Sequence, residues 1–278
     1  IIEAFACELP AAYLAAMASM TPKPCWINLE YLTAEAWADA CHGMASPHPS
    51  LPLVKYFYFP GFSPATGGLL REHDLLATRD AEIAQCLRYD TLEISLFCYD
   101  SAPVGELLEL LAESPTAVRL HVAPGQPLAA VAAHFGGNGP WQCGALSVLP
   151  FEFLPQEDFD RLLWCCDINF VRGEDSFVRA QWAANTFVWQ AYRQADEAQL
   201  DKVDAFLQRY IAGLSATGAN AADDLFQAWN SGCGSRQAWE SFLAARPEIT
   251  THNHHWAERL AGNRDLTEAL VKFCAGKV

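Results

Sequence analysis
Ile168-Asn169-Phe170-Val171 runs into Arg172-Gly173-Glu174-Asp175-Ser176, and Phe177-Val178-Arg179-Ala180-Gln181-Trp182-Ala183 follows directly. The first four residues read as a buried strand. The last seven carry apolar residues at helical spacing, so the polar residues between them mark a strand-to-helix turn. Gly173 permits a tight bend there, and Glu174, Asp175 and Ser176 are suitable capping or first-turn residues. Two readings of this turn stay open. Acidic residues at a helix N-terminus stabilise the dipole with no ligand present. Alternatively, the amides of the first turn hold a diphosphate. Two carboxylates facing a diphosphate repel it, unless one of them takes a sugar or ribose hydroxyl instead.

The same alternation extends on either side. Strand-like runs lie near Leu92 to Tyr99, Val118 to Val122, Ala145 to Leu149, Ile168 to Val171 and Thr186 to Trp189. Helical patterns fill the gaps at Pro103 to Glu113, Leu128 to His134, Asp158 to Cys166, Phe177 to Ala184 and Leu200 to Leu214. Strands alternating with helices predict a parallel sheet covered on both faces. In such sheets ligands bind beyond the carboxyl ends of the strands. Two further loops should share that rim, the end of Leu96-Phe97-Cys98-Tyr99-Asp100 and the stretch Phe151 to Phe159. Aromatic rings there can sandwich a flat base, with Gln156 reading its edge. Taken singly, Phe97 and Phe159 read as core residues ahead of ligand contacts.

Before this region, Ile1 to Cys7 reads as a buried strand with no start signal and no initiator Met, so the chain was either processed or lacks its beginning. Ala11 to Met20 reads as a helix and Cys25 to Asn28 as a strand, followed by loops. The prolines of Ser46 to Pro52 predict a loop. Lys55 to Phe62 packs five aromatic residues into eight positions, as a buried aromatic strand and turn or as a ligand platform. After Ala221 the pattern is helical, with Trp229, Trp239 and Trp256 as packing anchors. The expected segments are 1–88, an N-terminal Rossmann-like remainder; 89–221, a second Rossmann-like lobe; and 222–278, C-terminal helices, the last returning to the first lobe.

With 278 residues, 51% hydrophobic and 18% charged, the chain can bury a sizeable core. Its formal charge of −15 repels phosphate backbones and anionic lipid, which excludes nucleic acid and membranes as expected partners and favours a basic protein. No apolar run spans a bilayer and no signal-peptide layout opens the chain, so a cytoplasmic location is expected. The ten cysteines form no C-x-x-C pair and read as buried small hydrophobes. Thr251-His252-Asn253-His254-His255 reads as solvent-facing histidines near a helix start rather than a metal site, and Gly136 to Pro140 as a turn.

On the segment Arg172 to Gln181, Arg-Gly-Glu-Asp-Ser-Phe-Val-Arg-Ala-Gln, the chain resembles the EarP protein-arginine rhamnosyltransferases without a change. Ile2 to Pro10, Trp26 to Glu35 and Leu200 to Phe206 extend the resemblance over nearly the whole chain. It implies an α/β GT-B fold of two Rossmann-like lobes, the N-terminal one truncated. The implied activity is inverting transfer of L-rhamnose from TDP-β-L-rhamnose to an arginine of translation elongation factor P, with no metal. Carried onto matching positions, Phe97, Tyr99 and Phe159 surround the thymine and Gln156 reads it. Tyr192 contacts the diphosphate, Asp175 and Ser176 offer backbone amides to phosphate, and Glu174 is the acid needed for activity. The family's N-terminal Asp-Asn-Phe-Gly-Asp-Ile-Gly segment, with two aspartates needed for turnover, has no match here. Donor binding with little or no transfer by this chain alone is therefore expected. Two other functions fit the residues: a GT-B enzyme using another nucleotide sugar, and a non-catalytic module that binds a basic protein.

Overall fold
Short strands separated by crossovers pair in parallel, because only a long connection can return the chain to the same end of a sheet. The computed structural model, which describes residues 1–5, 7–84, 86, 90–194 and 198–277, follows this rule in both of its compact units, Ile1–Glu72 with Glu258–Val278, and His73–Ala257. The expected boundary at Arg88 and Tyr89 lies outside the described residues, as does Ala6 of the opening strand.

The first unit begins β1 (Ile2–Ala4), α1 (Ala11–Ser19), β2 (Trp26–Leu29), α2 (Ala36–Cys41), β3 (Ala45–Pro47), β4 (Val54–Tyr58), with sheet order β1-β2-β4-β3. The opening strand is shorter than Ile1 to Cys7, and within it Ile2 is exposed while Glu3 is buried. Glu3 accepts from the Trp26 indole at 3.0 Å and pairs with Lys55 at 3.3 Å. Met17 of α1 packs with Trp26 and Leu53. Two expectations are corrected. The loop read at Ser46 to Pro52 starts as a strand, β3, antiparallel to β4, because an edge strand tolerates a proline that lacks a donor. The loops read after β2 contain the six-residue helix α2, too short to show a period. The aromatic run is packed rather than presented as a platform: Tyr58 and Phe59 are buried, and Tyr56 and Tyr58 meet Phe273 edge-on at 5.6 and 5.4 Å.

The second unit runs α3 (Leu75–Ile83), β5 (Thr91–Leu96), α4 (Val104–Ala112), β6 (Ala117–Val122), α5 (Gln126–Phe135), β7 (Trp141–Cys143), β8 (Leu146–Pro150), α6 (Gln156–Cys165), β9 (Ile168–Arg172), α7 (Asp175–Ala183), β10 (Thr186–Gln190), α8 (Ala198–Tyr210), α9 (Ala216–Ser231) and α10 (Arg236–Ala261). The chain closes with α11 (Leu266–Ala275), which belongs to the first unit and carries Phe273. The sheet order is β10-β9-β5-β6-β8-β7, parallel throughout except for the β7–β8 hairpin. All five expected strands are present. α3 and β7 went unread. Ile94, Leu96, Leu120, Val148 and Phe170 are wholly buried, as a doubly covered sheet requires. Asn169, in this apolar setting, accepts from Ser95 at 2.6 Å and donates to the Leu163 carbonyl at 2.9 Å, so its burial carries no unpaired polar group.

Phe177, Phe187, Trp189, Phe206, Tyr210 and Phe226 form an aromatic core against β10, with Phe177 and Trp189 stacked at 4.0 Å. Each such burial contributes about 1.5–3 kcal/mol. The cluster clamps the body of α7 against β10 and leaves its first turn at the sheet's rim.

Two side-chain expectations are corrected. Cys86 and Cys165 form a disulfide, and Cys7, Cys143 and Cys233 are exposed; a pairing across 79 residues has no local signal. His252 lies inside α10 and is buried, its ring 2.7 Å from the Tyr210 carbonyl, while His254 and His255 are exposed. Helical spacing turns neighbouring histidines to different faces. Among the described residues no helix is long and apolar enough to cross a membrane, and no group of three or more His, Cys, Asp or Glu could hold a metal ion.

Candidate functional site
Strand order reverses between β5 and β9: the chain proceeds from β5 to β6 and β8 on one side, then to β9 and β10 on the other. The loops leaving two such strands diverge to opposite faces and open a crevice at the carboxyl edge. The loops after β5 and β9 carry Phe97, Tyr99 and the Arg172 to Ser176 turn.

The turn is built around Gly173. Its φ of +61° favours glycine, and a Cβ there would lie 2.9 Å from the Tyr99 hydroxyl. Its backbone is held at both ends, the N–H donating to the Gln190 carbonyl at 3.1 Å and the carbonyl accepting from the Trp189 indole at 2.7 Å. Gln190 in turn accepts from the Tyr99 N–H at 2.7 Å and donates to Ser101 at 3.1 Å. The Ser176 hydroxyl is engaged locally, donating to the Arg172 carbonyl at 2.6 Å and accepting from its N–H at 3.0 Å. What Ser176 can offer a ligand is therefore its amide. Glu174 sits at the N-cap of α7 and makes no side-chain cap hydrogen bond, so the first-turn amides, which have no acceptor within the helix, are not closed off by it.

A pocket of about 190 Å³ adjoins this helix start, lined by Phe97, Gln156, Phe159, Asp175, Ser176 and Arg179, with Ala123, Pro124, Phe151, Phe153 and Leu154 as its apolar wall. Phe97 and Phe159 meet edge to face at 6.0 Å. Both rings line the pocket rather than filling the core. The Arg172 guanidinium lies over Phe97 at 4.3 Å and over Tyr99 at 4.5 Å, and it donates to Gln126. One face of the Phe97 ring is thus covered by a cation.

Tyr99 and Tyr192 stand beside the pocket, edge to face at 5.5 Å, with Tyr192 66% exposed. Burial raises the Tyr99 phenol above its ordinary value; Arg172 opposes the shift, while Tyr192 and Glu174 add to it. The hydroxyl stays a hydrogen-bond donor at neutral pH. Burial also pushes the nearby Cys98 thiol up to about 12, which removes it as a nucleophile.

Five of the residues named from the sequence, Phe97, Gln156, Phe159, Asp175 and Ser176, thus share one pocket. Glu174, Tyr99 and Tyr192 lie next to it. Sequence reasoning missed Arg172, Arg179, Asp160 and Phe153. Phe153 is 84% exposed beside the pocket, a placement that an apolar residue in a proline-flanked loop hints at. Asp160 and Arg179 form a buried ion pair with no local signature. The arrangement can hold a flat ring against aromatic side chains while presenting helix amides to an anion.

The family profile described as Elongation-Factor P (EF-P) rhamnosyltransferase EarP matches residues 1–275. A protein-arginine rhamnosyltransferase of Pseudomonas putida is 44% identical over 98% of this chain and 77% of its own length. That of Pseudomonas aeruginosa is 41% identical over 99% and 78%. A solved structure concerning the structural basis for EarP-mediated arginine glycosylation of translation elongation factor EF-P superposes with a TM-score of 0.73 at 34% identity, covering 98% of this chain and 82% of that one. The two units with parallel sheets match its GT-B-like architecture. On a profile match over almost its full length and relatives above 40% identity, the chain belongs to the EarP family of protein-arginine rhamnosyltransferases.

Proposed function
We propose that this protein is a cytoplasmic enzyme that moves L-rhamnose from TDP-β-L-rhamnose to an arginine side chain of translation elongation factor P, with inversion at the anomeric carbon. The observation that carries this reading is the aromatic pocket abutting the first turn of α7, in a chain of this family. Thymine lies against Phe97 and Phe159 with its edge at Gln156. The diphosphate faces the amides of Asp175 and Ser176, with the Tyr192 hydroxyl in reach. In the transfer, an arginine nitrogen forms a bond to the anomeric carbon as the bond to the diphosphate oxygen breaks from the opposite side. The nitrogen loses a proton to a carboxylate of the kind the family carries in its Asp-Asn-Phe-Gly-Asp-Ile-Gly segment, which has no match in this chain, and TDP departs. The positive end of α7 meets the charge that builds on the leaving diphosphate, so transfer is expected to survive chelation of divalent metal. Glu174, at the head of the same helix, is the acid proposed for the reaction.

The formal charge of −15 favours a basic surface around the acceptor arginine. Calorimetric titration with TDP, UDP and GDP tests the donor, selective TDP binding being expected; preference for UDP, or no binding, would overturn it. Incubation of a version extended to the length of its relatives with TDP-β-L-rhamnose and elongation factor P tests the acceptor, through a deoxyhexose-sized mass gain on one arginine.

A further inference from the structure
The side chain of Gln156 can meet a base with its carbonyl oxygen or with its NH2 group, and the two recognise opposite base edges. Which one faces the pocket is decided one helical turn away. Asp160, four residues on and hence on the same side of α6, accepts from Gln156 Nε2 at 3.1 Å. Asp160 is 4% exposed. Arg179 of α7, 7% exposed, grips both of its oxygens, with Nε 2.8 Å from Oδ1 and a terminal nitrogen on Oδ2. A carboxylate in a bidentate pair with arginine can only accept. The group that Gln156 turns toward it must therefore be the NH2, which spends one of its two N–H donors there, and the carbonyl is the acceptor left for the pocket.

We infer that Asp160, fixed by Arg179, is a positioning residue that sets the polarity of the Gln156 amide, so that the pocket presents an acceptor and selects bases with an imide N–H. This rests on reading the pocket as the base site of the nucleotide-sugar donor. Thymine and uracil carry a proton at N3. Cytosine carries a lone pair there, so an acceptor would face an acceptor and one polar group would be left unpaired. Turning the amide over would repair that contact only by setting the Gln156 carbonyl against the Asp160 carboxylate. The buried Arg179 pair prevents Asp160 from swinging away to relieve it.

The test is calorimetric titration of the chain with TDP, dUDP and dCDP, the last two sharing a sugar and differing only at the base edge. dUDP should bind about tenfold or more tighter than dCDP. In Asp160→Asn, whose amide can donate or accept, Gln156 is free to turn over, and the gap should shrink to about threefold or less. In Gln156→Leu the gap should vanish, and adding Asp160→Asn to that background should not change selectivity further, because Asp160 acts through Gln156. If Asp160→Asn does not fold, the unmodified chain decides: the 15N-labelled Gln156 NH2 resonances should stay put when TDP binds, and a large shift would mean that the NH2 faces the base and overturn the inference. Equal binding of dUDP and dCDP, or Asp160→Asn with unaltered selectivity, would overturn it while leaving the base site in place. Failure of TDP to bind at all would remove both.

Discussion

Two hollows open at opposite ends of the six-stranded sheet, and the larger one is not the candidate site. The hollow at the amino edge, about 540 Å³, is lined by Asp90, Glu93, Thr116, Asp167 and Arg246 among others. Two of its carboxylates, Glu93 and Asp167, are matched from within the protein. Glu93 pairs with Arg119 at 2.8 Å and His121 at 2.9 Å; Asp167 accepts from the Glu93 N–H at 3.0 Å and pairs with Arg246 at 3.0 Å. At the carboxyl edge the pocket is about a third of that volume, yet it has aromatic walls and the head of a helix whose N-cap side chain makes no cap bond. What separates the two ends is hydrogen-bonding capacity directed outward, not space. Parallel strands impose this difference, because every following helix begins at the carboxyl edge with its amides leading.

The contrast is broken most severely at Glu174. Made in a version extended to the length of its relatives, Glu174→Gln is expected to lower transfer at least about a hundredfold, the usual scale for a group that handles a proton, with an unchanged thermal unfolding midpoint. Normal turnover would remove Glu174 from the chemistry. On stability the largest effect is expected from Arg179→Leu, which leaves the buried Asp160 carboxylate without its counter-ion and with only the Gln156 NH2 as a partner. A loss of about 3–5 kcal/mol is expected in urea unfolding; a loss under about 1 kcal/mol would mean that the pair behaves like a surface one.

How far these features are legible in the sequence follows from how local their signals are. The β9-to-α7 junction could be read because the period changes within a few residues, from Ile168 to Val171 and then from Phe177 onward. Phe97, Gln156 and Phe159 could be named because loops after parallel strands share an edge. Asp160 and Arg179 could not: each is a charged residue within an amphipathic helix, where solvent exposure is the default, and their meeting depends on the packing of α6 against α7. Likewise the Cys86–Cys165 disulfide and the burial of His252 depend on contacts 79 and 42 residues away. The three-residue strand β7 and the six-residue helix α2 were too short for any periodicity to appear.

A smaller effect sharpens the comparison at the pocket wall. Phe159→Ala is expected to weaken TDP binding by about 1–3 kcal/mol, the scale of one stacked base on an aromatic side chain. Calorimetry reads this directly, and unchanged affinity would make Phe159 a packing residue at the pocket's edge. Phe97 should respond differently to the same truncation, since its ring also carries the Arg172 guanidinium at 4.3 Å.

The least effect is expected at the amino edge, and it makes the comparison falsifiable from the other side. Arg246 and Asp167 are partly exposed, at 34% and 22% of their side chains, and solvent screens such a pair. Arg246→Gln keeps a donor near Asp167, which also accepts from the Glu93 N–H, so stability should fall by no more than about 1 kcal/mol. TDP affinity should not change, because the substitution lies at the other end of the strands from the pocket. If TDP affinity falls instead, the amino-edge hollow takes part in donor binding, and the division of labour between the two ends of the sheet is wrong.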